Sequence, residues 1–181
     1  MRRQDLEHLI RAAGAIARSE ELVIIGSQAI LGMFPDPPKE LVVSQEADLY
    51  PADDPAKSDL IDGSIGELSP FHEQFGYYAH GVGPETAVLA RNWKSRVVRI
   101  QNENTGGVAG LCLHPVDIAV SKLIAGRQKD IEFVRDALRH GLLSAKDIES
   151  ICSELQVSEA AMVVARLKLI LHEKPSGSQA S

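Results

Sequence analysis

Two acidic residues separated by one alanine carry the strongest chemical signal in this chain, Glu46 and Asp48. Side chains alternate between the two faces of a β-strand, so residues 46 and 48 of a strand project from the same face. Two neighbouring carboxylates repel each other, and a divalent cation relieves that repulsion. Magnesium is often held by one or two carboxylates while substrate phosphates complete its shell. The pair therefore predicts a magnesium site with a catalytic role at phosphorus.

A glycine–serine pair upstream supplies a second signal. Gly26-Ser27 follows the apolar run at residues 22–25 and precedes residues 28–31, which suit a short helix capped by the serine. Glycine allows a phosphate to approach the backbone closely, and free N–H groups at a helix start bind anions. The order strand, Gly-Ser, helix and acid-x-acid strand is consistent with a phosphate and metal site. An ordinary capped turn and a solvated strand face are the alternatives left open.

The hydrophobic pattern predicts the elements that must position these residues. Apolar spacings of three and four predict a helix over residues 4–18, and Pro70 suits the first turn of another helix. Apolar runs predict extended segments at 22–25, 41–44, 47–50, 77–79, 87–89, 96–101 and 108–113. This order indicates an α/β (α+β) fold, with a small mixed β-sheet flanked by helices.

From His114 onward the pattern is helical only. Helices are predicted at 114–125, 130–139, 144–155 and 158–171. We therefore expect an α/β domain at residues 1–113 and an all-α C-terminal extension, packed on it, at residues 114–173. Residues 174–181 are expected to be a disordered tail.

Composition limits the classes of partner. The net charge of -6 argues against a large electrostatic footprint on nucleic acid, although residues 91–99 are locally basic and would suit a polyphosphate or an RNA end. Cys112 and Cys152 have no partners at zinc-site spacing, and Cys112 lies in an apolar run that predicts a buried thiol. The chain shows no signal peptide and no membrane-length apolar run, so a cytoplasmic location is expected.

These motifs resemble the DNA polymerase beta-like nucleotidyltransferase superfamily. Its mark is an apolar residue and Gly-Ser or Gly-Gly ahead of an acid-x-acid strand. In this chain it reads Ile25-Gly26-Ser27 and then Glu46-Ala47-Asp48-Leu49. Residues 115–117, 121–123 and 125–130 resemble uncharacterised bacterial nucleotidyltransferase-like proteins. Those proteins are related to the toxin nucleotidyltransferases of abortive-infection toxin–antitoxin systems.

The resemblance implies magnesium-dependent transfer of a nucleoside monophosphate from a nucleoside triphosphate to a hydroxyl group. The acceptor would be RNA, a protein or a small molecule. The residues implied to bind the triphosphate are Gly26, Ser27, Gln28, Lys122 and Arg127. Lys122 and Asp130 are also implied to be catalytic, with Asp130 orienting Arg127 or Lys122 through an ion pair. The alternative for Lys122, Arg127 and Asp130 is that they are exposed charged residues on amphipathic helices.

One departure from the superfamily pattern bears on catalysis. A third carboxylate is expected on the strand near residues 77–82, but the position before Gly81 is His80. Histidine is a competent general base and a poor magnesium ligand, so His80 is a candidate catalytic residue of altered role. The second hypothesis is therefore a catalytically inactive module that binds a nucleotide or a partner protein in a toxin–antitoxin or defence setting. A homodimer through the C-terminal helices is a third.

Overall fold

Five strands form one mixed sheet in the computed structural model, which describes residues 1–172. The strands are β1 (Glu21–Ile25), β2 (Glu46–Pro51), β3 (Tyr78–Gly81), β4 (Val98–Ile100) and β5 (Ala109–Cys112). Their order across the sheet is β3-β2-β1-β5-β4. β1 runs antiparallel to β2 and parallel to β5, β3 is parallel to β2, and β4 is antiparallel to β5. The predicted tail at residues 174–181 lies outside the described residues.

Seven α-helices accompany this sheet in the described part of the chain. They are α1 (Arg3–Ala17), α2 (Ser58–Ile65), α3 (Pro70–Phe75), α4 (Pro115–Ala125), α5 (Gln128–Arg139), α6 (Ala145–Ser150) and α7 (Val157–His172). A 3₁₀ helix, Ser27–Gly32, follows β1 directly. The predicted α+β fold, with a mixed sheet and C-terminal helices, is confirmed. Among residues 1–172, no helix is both long and apolar enough to cross a lipid bilayer.

The two faces of the sheet have different surroundings. On one face, a side chain at Gly110 would collide with Ile10, which shows that α1 lies directly on β5. Ile24 points to this same face, and so does its cross-strand partner Leu49. Asp48 therefore points to the opposite face, because successive residues of a strand alternate. The acidic pair thus lies on the sheet face away from α1.

A single hydrophobic cluster includes the sheet and the C-terminal helices. Ile24 and Leu49 of the strands belong to it, together with Val120 of α4, Val134 of α5 and Leu167 of α7. The helices after residue 114 therefore pack on the same core as the strands. A domain boundary at residues 113/114 stays a prediction. Cys112 is fully buried and burial raises the pKa of its thiol to about 12, which confirms the predicted buried thiol.

Two predicted extended segments were wrong. Leu41 ends a 3₁₀ turn, Lys39–Leu41, and residues 42–44 continue without strand pairing. Val43 is 79% exposed. Residues 87–89 follow another 3₁₀ turn, Pro84–Thr86, and are likewise unpaired. Both segments hold β-branched residues that suit a strand, but neither pairs with a strand of the sheet. The helix predicted over 144–155 is also interrupted after Ser150.

Candidate functional site

The acidic pair opens into a cleft of about 410 Å³. Glu46 and Asp48 reach it from β2, while Gly26 and Ser27 reach it from the end of β1. Asp48 is the cross-strand partner of Ile25 in the antiparallel pairing of β1 and β2. Gly26, the residue after Ile25, therefore lies close to the acid pair. Lys122, Arg127 and Asp130 line the same cleft from α4, α5 and the turn between them. Seven of the nine predicted site residues are therefore brought together.

Gly26 and Asp48 are in direct contact. Gly26 has φ of 70° and ψ of -166°, a combination that is essentially restricted to glycine. A Cβ atom at Gly26 would overlap Asp48 Oδ2 and would lie 3.3 Å from Asp48 Cγ. Position 26 therefore requires glycine for two reasons: its backbone conformation, and the lack of space for a Cβ atom beside the Asp48 carboxylate.

The electrostatic setting of Asp48 is that of a half-enclosed carboxylate beside another acid. Burial is the main cause that raises its pKa, and Glu46 raises it further. A hydrogen bond from His80 and the charge of Lys122 oppose that rise. Ionisation of Asp48 is thus less favourable than that of a carboxyl group in water, and a cation beside it would stabilise the charged form.

His80 lies outside the cleft but touches the acid pair from the neighbouring strand. It is the cross-strand partner of Asp48 in the parallel β2–β3 pairing. Its Nδ1 lies 2.9 Å from Asp48 Oδ1, and its side chain is 49% exposed. His80 therefore occupies the position beside Asp48 where a third carboxylate was expected.

Glu46 has a hydrogen-bond partner, Tyr78, that the motifs did not predict. The Tyr78 hydroxyl donates a hydrogen bond to Glu46 Oε2 at 3.1 Å. Burial and this interaction raise the pKa of Tyr78 to about 12, so it remains a donor at neutral pH. Tyr78 stands beside Glu46 in the β2–β3 register and two residues before His80. Because side chains alternate along a strand, the sequence could have predicted that Tyr78 and His80 lie on the same face.

Across the cleft, a buried carboxylate holds two cations. Asp130 is fully buried, and it accepts hydrogen bonds from Lys122 Nζ at 2.9 Å and Arg127 Nε at 2.6 Å. Burial alone would raise the pKa of Asp130, but the bonds from Arg127 and Lys122 outweigh it and lower the pKa. Lys122 Nζ also lies 4.7 Å from the centre of the Phe133 ring. Both cations are thereby held in defined positions.

These cations face the acid pair. The pKa of Arg127 is raised mainly by Asp130, and also by the charges of Asp48 and Glu46. The turn that carries Arg127 is fixed by Gly126, whose φ of 68° ends α4 in the left-handed conformation. Arg166 of α7 donates to the carbonyls of Leu123 and Ile124, which braces the last turn of α4.

Gln28 is not placed at the cleft. Its side chain is buried beneath the surface, with 1% of the residue exposed. Among residues 1–172 neither amide atom of Gln28 has a hydrogen-bond partner. The expectation that this side chain contacts a nucleotide is therefore corrected. The 3₁₀ turn directs it into the protein interior, whereas Ser27 before it faces the cleft.

The donor set fits magnesium in one particular mode. Residues 1–172 contain no group of three or more His, Cys, Asp or Glu side chains arranged to hold a metal ion. A full protein cage is therefore not built. Two carboxylates on one strand face, opposite two cations, match the mode in which substrate phosphates complete the magnesium shell. Glu46 and Asp48 are the residues that would hold the ion.

Comparison with known proteins agrees with this geometry. The family described as "Nucleotidyltransferase of unknown function (DUF6036)" matches residues 4–166. The chain belongs to this family. No curated protein and no solved structure matches the chain significantly. Membership in the nucleotidyltransferase family DUF6036 confirms the resemblance to nucleotidyltransferases inferred from the sequence motifs. The relation to abortive-infection toxins stays a prediction.

Proposed function

We propose that this member of the DUF6036 family transfers a nucleoside monophosphate from a nucleoside triphosphate to a hydroxyl acceptor, with magnesium. The observation that carries the proposal is the joint lining of one cleft by Gly26, the acid pair and the two cations held by Asp130. Nucleotidyl transfer needs anionic metal ligands and cationic phosphate contacts close together. The cleft provides both.

Each residue has a distinct part in the proposed reaction. Glu46 and Asp48 hold magnesium, which neutralises charge on the phosphates and orients them when it is bound. Lys122 and Arg127 contact the triphosphate, and the Ser27 hydroxyl donates to a phosphate oxygen. Asp130 holds both cations at the lining of the cleft through hydrogen bonds.

The chemistry is a substitution at the α-phosphorus. The acceptor oxygen forms a bond to that phosphorus, the bond to the bridging oxygen of the β-phosphate breaks, and pyrophosphate leaves. The protein forms no covalent bond in this scheme. Its contribution is to position the reactants and to stabilise the developing charge.

Turnover tests this proposal. The protein is incubated with magnesium and each of the four ribonucleoside triphosphates labelled at the α-phosphate, with total RNA and total protein supplied as acceptors. We expect one triphosphate to label an acceptor and to release pyrophosphate in equal amount. Asp48→Asn abolishes labelling, whereas Glu73→Gln, which alters an exposed acid on α3, does not. Equal labelling by wild type and Asp48→Asn would contradict the proposal.

A non-catalytic nucleotide-binding module is the second candidate, and one observation favours it. His80 stands beside Asp48 where a third carboxylate was expected, so the acid cluster of this chain is smaller than the superfamily pattern. This candidate expects magnesium-dependent binding of a triphosphate without release of pyrophosphate from any acceptor mixture. It needs the same cleft and the same triphosphate contacts as the enzyme.

A further inference from the structure

The acid pair lines the cleft, and a second recess lies on the same face of the sheet. The cleft extends from Asp48 toward Glu46 and the end of β1. In the opposite direction along the strands, Tyr50 and its cross-strand partner Val23 form the floor of a second recess of about 540 Å³. Tyr50 follows Asp48 by two residues, which places it on the same face, about 7 Å along the strand. No residue lines both recesses.

This second recess, which we call the Trp93 groove, combines an aromatic wall with a cation. Its floor is Val23, Tyr50 and Leu111, and Trp93 and Lys94 stand at its edge. Lys94 Nζ lies 5.7 Å from the centre of the Trp93 ring. Trp93 is partly exposed and Lys94 is exposed, so both are available to a ligand. An aromatic face next to a cation is the arrangement that accepts a base and a phosphate together.

The charges around the Trp93 groove also favour an anionic ligand. Within residues 1–172, Lys94 forms no ion pair with a carboxylate, and neither does the exposed Arg91 nearby in sequence. The one acid that lines the groove, Glu21, is paired with Arg99 at 2.7 Å. Its charge is therefore compensated, and Lys94, the one cation among the described residues that line the groove, has no carboxylate partner.

The segment that carries Trp93 is anchored rather than loose. Arg96 donates to both oxygens of the fully buried Asp117, at 2.9 Å and 2.7 Å, and to Glu154 at 2.9 Å. The backbone N–H of Asn92 donates to Glu154 as well. A bidentate hydrogen bond between an arginine and a carboxylate fixes the geometry of the pair and also stabilises it. Trp93 and Lys94 are thus presented on a preorganised support, which lowers the entropy cost of binding.

We propose that the Trp93 groove binds the end of a single-stranded polynucleotide, which is the acceptor for the transfer. This inference rests on the proposed function, because it places the acceptor relative to the triphosphate cleft. A base would stack on Trp93 and its phosphate would contact Lys94. The net charge of -6 disfavours binding of a long duplex, which needs many phosphate contacts. The end of a single strand needs only a few.

The placement suits an in-line displacement at phosphorus. The attacking and leaving oxygens stand roughly opposite each other in phosphoryl transfer. Pyrophosphate would leave into the cleft, on the side of Lys122 and Arg127. The acceptor hydroxyl would approach from the Trp93 groove, on the other side of Asp48. Its oxygen bonds to the α-phosphorus, its proton passes to solvent water, and the strand grows by one nucleotide.

Trp93 is the sole tryptophan of the chain, so its fluorescence reports on the groove directly. We would titrate the full-length protein with a hexaribonucleotide and follow Trp93 emission at several salt concentrations. We expect saturable quenching whose affinity falls as salt rises. Lys94→Ala removes one phosphate contact, which lowers the slope of log affinity against log salt by about 0.7. Lys168→Ala, an exposed lysine on α7 that lines neither recess, leaves affinity and slope unchanged.

A second variant tests the stacking. Trp93→Leu keeps an apolar side chain against the core but removes the aromatic face, so we expect binding of a labelled hexamer, followed by anisotropy, to weaken at least about fivefold. Wild-type affinity in both Lys94→Ala and Trp93→Leu would overturn the proposal. So would the absence of hexamer binding to wild type, or quenching by a peptide library in place of the hexamer.

The same titration separates this inference from the proposed function. Asp48→Asn should still bind the hexamer while losing magnesium-dependent triphosphate binding. If the groove proposal fails, triphosphate binds and the hexamer does not. If the triphosphate site fails, no triphosphate binds to wild type, whatever the hexamer does. If the transfer alone fails, triphosphate binds to wild type but no pyrophosphate is released.

Discussion

Gly26 lies against the carboxylate of Asp48, with no space for a side chain between them. The contact joins the end of β1 to the acid pair on β2, two strands whose register sets Asp48 beside Ile25. The site is therefore defined by a backbone contact as well as by charge. A residue other than glycine at position 26 would move Asp48, which is one of the two proposed magnesium ligands.

The first prediction concerns Gly26→Ala. The new methyl group would overlap Asp48 Oδ2, and alanine is strained at φ of 70° and ψ of -166°. We expect a loss of about 1–3 kcal/mol in the free energy of unfolding, measured by urea denaturation. We also expect the variant to lose magnesium-dependent triphosphate binding, measured by calorimetry on folded protein.

Gly76→Ala is the matched control for that experiment. Gly76 also has a positive φ, 76°, but a Cβ there would meet no atom within 4 Å. It ends α3 and does not line the cleft. This variant should lose stability through strain and keep triphosphate binding. If Gly26→Ala binds triphosphate as well as Gly76→Ala does, the contact with Asp48 has no functional role.

The second prediction concerns the tyrosine that holds Glu46. Tyr78→Phe removes the hydroxyl that donates to Glu46 Oε2 and leaves the ring in place. Partners that orient a metal ligand typically contribute at least about tenfold to metal affinity or activity. We expect the magnesium concentration needed for half-maximal triphosphate binding to rise about tenfold.

Tyr77→Phe removes a hydroxyl of the same kind at the adjacent position. The Tyr77 hydroxyl bonds to His8 Nδ1, among aromatic rings of α1 and α3, and not to the acid pair. Its magnesium requirement should match that of wild type. An equal shift in both variants would mean that the effect is one of general packing, and Tyr78 would have no particular role toward Glu46.

The third prediction is a pH dependence of stability. Arg127 and Lys122 lower the pKa of Asp130, so ionised Asp130 stabilises the fold above the ordinary carboxyl range. That contribution is lost as the pH falls through the lowered folded-state pKa. Asp130→Asn should lower the free energy of unfolding by about 2 kcal/mol at pH 7. This is less than the loss on breaking a fully buried ion pair, because Arg127 is largely exposed. The deficit should shrink as the solution is made strongly acidic.

Urea denaturation at pH 7 and at several acidic values measures that difference. Asp136→Asn is the control, because Asp136 pairs with the exposed Arg139 at the end of α5 and should contribute under about 1 kcal/mol. A deficit for Asp130→Asn that stays constant with pH would show that the carboxylate stabilises the fold through shape rather than charge.

Local patterns were sufficient for much of this site. The apolar run before Gly26 predicted β1, and the spacing of acids around Ala47 predicted a strand with both acids on one face. The helices that carry Lys122 and Asp130 followed from their apolar periodicity. Each of these features depends on residues close in sequence.

Long-range pairing could not be derived in the same way. The contact between His80 and Asp48 depends on β3 lying parallel to β2, and nothing local fixes that register. Val43 and Val88 suit a strand by residue type, yet neither segment has a partner strand. Gln28 adjoins the predicted phosphate turn, and only the rotation of the 3₁₀ turn buries it.

Calorimetric titration of the four ribonucleoside triphosphates, with and without magnesium, shows whether the acid pair forms a magnesium-dependent triphosphate site. Wild type and the double variant Glu46→Gln, Asp48→Asn are compared. We expect wild type to bind at least one triphosphate in a magnesium-dependent manner and the double variant, still folded, not to bind it. Magnesium-dependent binding of equal strength in both proteins, or no binding of any triphosphate to wild type, would contradict it.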